Sequence, residues 1–99
     1  MSKKISLIHA NSLASVDYAY ASRMPADMDL LFMAGACPLD ENGEIPDPGD
    51  YEKQAIRCVS NLREALKECE ASLDDIVYTR VLVASDHRSD LVIAWNAIR

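Results

Sequence analysis

The stretch Asp50–Glu70, DYEKQAIRCVSNLREALKECE, constrains this chain more than any other. Ala55, Cys58, Val59, Leu62, Ala65, Leu66 and Cys69 recur at steps of three and four, which lays one apolar stripe along a helix of about five turns. Lys53, Arg57, Asn61, Arg63, Glu64, Lys67 and Glu68 fall mostly off that stripe. Asp50 is a good N-cap, and Glu52 puts negative charge in the first turn, where the helix dipole favours it. A helix with a single apolar face must bury that face, so the rest of the chain has to supply a surface for it.

The flanking segments read as strands. Tyr18–Arg23 alternates aromatic and small residues, and Leu30–Gly35 is an apolar run; Met24–Asp29 between them carries a proline and two aspartates, so the pair predicts a β-hairpin. Ile5–Ile8 reads as a short first strand or an ordered arm. Asn42-Gly43 tolerates positive φ and marks a tight turn. Ile76–Ala84, IVYTRVLVA, is rich in β-branched residues and predicts a central strand with Val77, Thr79, Val81 and Val83 on one face and Tyr78, Arg80 and Leu82 on the other. Leu91–Arg99 starts a second helix with Leu91, Ala94, Trp95 and Ile98 together on one side. The order hairpin, helix, strand, helix implies an α+β domain over residues 1–99, a mostly antiparallel sheet with helices on one face. A βαβ unit normally returns through another strand, and none follows here.

Composition excludes several classes of function. At 99 residues and 49% hydrophobic, the chain is one packed domain near the lower size limit, which favours burying more surface by self-association. Net charge is -6, and the one basic doublet is Lys3-Lys4, so a nucleic-acid partner is not expected. No segment has the length to span a bilayer or to act as a secretory h-region. Cys37, Cys58 and Cys69 form no CxxC pair and match no histidine spacing, which fits reduced thiols in a cytoplasm and no zinc site.

Asp17–Ala21, Leu30–Ile45, the "PGD" to "VLVA" run of residues 48–84 and Asp90–Arg99 together resemble the Rid family, also called YjgF or L-PSP. The similarity runs over nearly the whole chain from Tyr18. It implies a chorismate-mutase-like α+β fold with ferredoxin-like layering, assembled as a homotrimer, with ligand pockets in clefts between subunits. It further implies hydrolytic deamination of reactive imines and enamines to keto acids and ammonia, with no metal or organic cofactor. Tyr18 matches a tyrosine whose hydroxyl faces the cleft, and Gly35, Cys37, Pro38 and Leu39 keep the shape of a turn that forms the pocket floor. Three positions depart from the deaminating pattern: Ala34 stands where serine is common, Ala36 where glutamine is, and Trp95 where asparagine is. The two alanines each remove a hydrogen-bonding group, and Trp95 is less polar than asparagine. The arginine that anchors the substrate carboxylate in deaminating members lies on a later strand. On that comparison the domain is C-terminally incomplete, and Arg99 is a helix residue rather than that anchor. Glu70 replaces a glycine common after the long helix, which costs roughly 1 kcal/mol if the backbone is left-handed there.

The candidate ligand-binding set is therefore Tyr18, Ala34, Gly35, Cys37, Pro38, Leu39 and Trp95, with no catalytic residue assigned. Plainer readings stand beside these. Tyr18 and Tyr20 also suit strand packing, Cys37 a small residue chosen for fit, and Trp95 the core side of the second helix. Cys58 and Cys69 read as core. Asp40, Glu41, Glu44, Asp47 and Asp50 do not match a calcium loop and read as a solvated acidic loop ending in a helix cap. Two functions follow: a deaminase of small imines, or a non-catalytic trimeric protein of the same family that binds small molecules or partners.

Overall fold

The computed structural model describes residues 5–99; the Lys3-Lys4 doublet lies outside the described residues. It is an α+β domain: β1 (Ser6–Ile8), β2 (Ala21–Arg23), α1 (Tyr51–Glu68), a single 3-10 turn (Leu73–Asp75) and α2 (Arg88–Ile98). β1 and β2 pair antiparallel with Ser6 opposite Arg23, Leu7 opposite Ser22 and Ile8 opposite Ala21, and the Tyr20 amide extends the pairing by donating to Ile8 O at 2.9 Å.

α1 forms for the reasons its sequence supplies. Asp50 sits in extended conformation (φ -104°, ψ 96°), and its Oδ1 accepts the Lys53 amide at 2.9 Å, satisfying one of the free donors of the first turn. At the other end Glu70 adopts φ 59°, the left-handed turn that the comparison with glycine anticipated. The Ala71 amide then bonds Leu66 O at 2.8 Å, closing the C-terminus. α1 packs against α2, and the buried apolar residues among those described, Ala55, Leu66 and Ala94, all lie on these two helices. Cys69 is a correction: it is exposed, not core, because it caps the helix where the chain leaves the stripe.

The strand expectations also need correcting. β2 pairs with β1, not with Leu30–Gly35; that run and Ile76–Ala84 carry no ladder among the described residues. A strand exists only through a partner's hydrogen bonds, and apolar or β-branched composition does not supply the partner. Ile76–Ala84 is tied down by side chains instead. Ser22 Oγ donates to Val77 O at 2.7 Å, and Tyr51 Oη donates to Ala84 O at 3.0 Å. The two-residue alternation survives in exposure, with Tyr78 and Leu82 at 75% and 85% and Val77 and Val81 at 37% and 39%. The turns are where the sequence puts them. The Met28 amide bonds Pro25 O, and the Gly43 amide bonds Asp40 O with Gly43 at φ 78°.

The molecule is a slab of 42 × 36 × 16 Å with a radius of gyration of 15.5 Å. A compact domain of this length has about 13 Å. Its apolar surface is correspondingly open, with Phe32 92% exposed.

Candidate functional site

Two open grooves divide the candidate residues between them. The first, of about 730 Å³, has Ala34, Gly35, Ala36, Cys37 and Leu39 as one wall and Arg57, Asn61, Leu62 and Ala65 of α1 as the other. Pro38 does not line it but shapes it. Its ring fixes φ at the centre of a three-residue turn in which the Leu39 amide donates to Cys37 O at 2.8 Å. That turn is pinned to α1 by one side chain, Asn61, whose Nδ2 donates to both Cys37 O and Leu39 O at 2.9 Å. The acidic loop beyond it is organised by Asp40, whose Oδ1 accepts the amides of Asn42 and Glu44. Asp47 O accepts from Gln54 Nε2, and Asp47 Oδ2 lies 3.7 Å from Arg57 Nε.

The electrostatics of this groove are mixed. Arg57 stands against Asp40, Glu41 and Glu64 in the lining, and the Arg57 Nε is shielded from solvent without a hydrogen bond. Behind the wall, burial pushes the half-buried Cys58 thiol above its ordinary value, with negative charge on Cys37 adding to the effect. The floor itself offers only methyl groups at Ala34 and Ala36, so hydrogen bonds to a ligand come from backbone groups or from the other lining side chains, Asn61, Arg57 and the carboxylates of Asp40, Glu41 and Glu64.

The second groove, of about 550 Å³, brings Tyr18 together with Trp95, as well as Asp17, Tyr78, Val81 and Arg99. Tyr18 is half exposed and sets its ring edge-on to Tyr20, with centroids 6.0 Å apart and planes at 64°. Tyr20 is structural, its hydroxyl donating to Ala14 O at 2.6 Å. Trp95 is 39% exposed, a groove wall more than a core residue, and its Nε1 donates to Asp17 Oδ2 at 3.3 Å. The same oxygen takes the Arg99 guanidinium at 3.1 Å, and Arg99 Nε donates to Asn96 Oδ1. Asp17 thus aligns an indole and a guanidinium along one side of the groove.

Within one chain, then, the Ala34–Leu39 floor and the Tyr18–Trp95 pair line different grooves and share no residue. Sequence reasoning missed Asn61, Arg57, Asp17 and Arg99 as groove residues. Asn61 carried a faint signal, a poor helix former in mid-helix. The other three carried none, because their roles depend on contacts from segments remote in sequence. Among the described residues no cluster of ligating side chains could hold a metal ion, and no helix is long and apolar enough to cross a membrane.

Residues 10–98 match the protein family described as Endoribonuclease L-PSP. Over 54 residues the chain is 41% identical to a RutC family protein of Pyrococcus abyssi, a match that covers 54% of this chain and 42% of that relative. The chain therefore spans less than half of that relative's length in the match. No solved structure matches.

Proposed function

The chain belongs to the Endoribonuclease L-PSP family, and from that premise we propose that it binds small imines or enamines and hydrolyses them to keto acids and ammonia. The observation that carries the reading is the division of the candidate site into two open half-grooves. A second copy that sets its Tyr18–Trp95 groove against the Ala34–Leu39 floor makes one enclosed cleft from two open ones. The thin, apolar slab supports such an assembly, a homotrimer by the family resemblance, because exposed residues such as Phe32 and Leu82 gain cover in it.

In that cleft the chemistry is modest. Water adds to the C=N carbon, the nitrogen takes a proton, and the carbinolamine collapses to a carbonyl with loss of ammonia. Tyr18 orients the ligand through its hydroxyl, Trp95 covers a planar face, and the Gly35–Leu39 turn sets the floor. Arg57 supplies a cation near the floor for a carboxylate. RNA is a poor substrate for this chain despite the family's descriptive name, since a net charge of -6 repels phosphates. We place the protein in the cytoplasm, where its three free thiols are stable.

A second reading is favoured by the methyl groups of Ala34 and Ala36 on the floor: a trimeric protein that binds such ligands, or a protein partner, without turnover. One experiment separates the two. An amino-acid oxidase generates the imino acid in situ, and the decay of the imine is followed with and without the protein. Faster decay that falls at least tenfold in Tyr18→Phe supports deamination. Keto-acid binding seen by calorimetry with no acceleration supports the binding protein. A folded trimer that neither binds nor accelerates defeats both.

A further inference from the structure

We propose that Cys37 and Cys58 are a redox pair that closes into a reversible intramolecular disulfide, locking the groove floor onto α1. Asn61 ties the floor to α1. Its amide holds the carbonyls of Cys37 and Leu39 at 2.9 Å, so the backbone of Cys37 is fixed against one face of α1. Cys58 lies three residues before Asn61, on the same face of the helix. The turn therefore lies against the stretch of α1 that carries Cys58, with Cys37, Arg57, Asn61 and Leu62 lining one groove. Burial, and after it negative charge on Cys37, holds the Cys58 thiol above its ordinary value, in keeping with that placement. Cys37 is exposed and Cys58 half-buried, which gives them distinct roles: the first meets the oxidant and the second resolves it. Cys69 is a built-in control. It lies eleven residues further along the chain, about 16 Å up the helix axis.

The oxidant is a low-molecular-weight disulfide, with glutathione disulfide as the probe. The Cys37 thiolate attacks one sulfur of glutathione disulfide; that S–S bond breaks and one glutathione leaves as thiolate, taking up a proton. The Cys58 thiolate then attacks the Cys37 sulfur of the mixed disulfide and expels the second glutathione. Two protein thiols are oxidised and one glutathione disulfide is reduced to two glutathione molecules, so atoms and electrons balance.

The test uses the full chain in glutathione buffers of graded ratio, quenched by acid and alkylation and read by intact mass and non-reducing peptide mapping. The expected result is a Cys37–Cys58 cross-linked peptide, lighter by two hydrogens and carrying no glutathione, whatever the state of the exposed Cys69. The ratio of oxidised to reduced protein should rise in proportion to glutathione disulfide and fall with the square of the reduced glutathione concentration. Cys58→Ser, with folding checked by circular dichroism, should stop at a glutathione adduct on Cys37. Cys37→Ser should leave Cys58 unmodified, and Cys69→Ser should behave as wild type. A stable adduct on wild-type Cys37 with Cys58 still alkylatable overturns the proposal. So do a link to Cys69, a link between two copies, or no reaction of either thiol. None of these outcomes bears on deamination, which the imine assay reads separately.

Discussion

Replacing Asn61 by alanine tests how the floor is held, because two effects of opposite sign compete there. Asn61 Nδ2 makes two hydrogen bonds of 2.9 Å to backbone carbonyls of the 37–39 turn. A net contribution of about 1 kcal/mol each gives about 2 kcal/mol in a dry setting. Asn61 is only half-buried, so water can replace part of the loss and about 1.5 kcal/mol is a fairer figure. Alanine is the better helix former by roughly 0.6 kcal/mol, which acts in the other direction. Asn61→Ala should therefore destabilise the protein by about 1 kcal/mol, measured as a lower urea midpoint at unchanged slope. The protection of the Leu39 amide against hydrogen exchange should fall with it. Asn61→Asp should be worse at neutral pH, since a carboxylate facing two carbonyl oxygens repels where the amide donated, and part of the deficit should return when the carboxylate is protonated. The sign is decisive. If Asn61→Ala is more stable than wild type and Leu39 exchanges as before, propensity alone governs the site and the side chain does not hold the turn.

The caps and the half-buried thiol give three further expectations. Asp50→Ala removes the acceptor of the Lys53 amide and should cost about 1 kcal/mol, read as a lower urea midpoint and loss of helical ellipticity at moderate denaturant. Glu70→Gly relieves a left-handed backbone at φ 59° and should raise stability by about 0.5–1 kcal/mol, the gain being limited by the greater freedom of glycine in the unfolded chain. A fall in stability would mean that this turn is not held left-handed in solution. Burial, then charge on Cys37, raises the folded-state pKa of Cys58 above 9.0, its ordinary value. Below that value both folded and unfolded thiols are protonated and stability is unaffected; above it the unfolded chain ionises first, so stability falls as pH rises. Cys58→Ala should show a shallower alkaline decline than wild type in paired urea titrations, and an identical slope would refute the assignment.

How the chain reads in sequence and how it folds part company along a physical line. Whatever rests on short-range interactions was legible. Asp50 and Glu70 bound α1 because a cap and a left-handed turn are settled within a few residues, and Asn42-Gly43 turns for the same reason. The alternation of Val77 and Val81 against Tyr78 and Leu82 was legible too, since it follows from the period of an extended chain. Which strand pairs with which was not, because a ladder is a relation between distant segments; the apolar Leu30–Gly35 run carried no information on that choice, and β2 chose β1. The site divides in the same way. The residue types of the Gly35–Leu39 floor and the presence of Tyr18 and Trp95 stand in the sequence, along with the family they resemble. That Asn61 clamps the floor, that Asp17 gathers Trp95 and Arg99, and that floor and aromatic wall face different grooves were decided by tertiary structure. In these contacts the partners lie 22 to 82 residues apart, from Asn61–Leu39 to Arg99–Asp17, and only the folded backbone brings them within bonding distance.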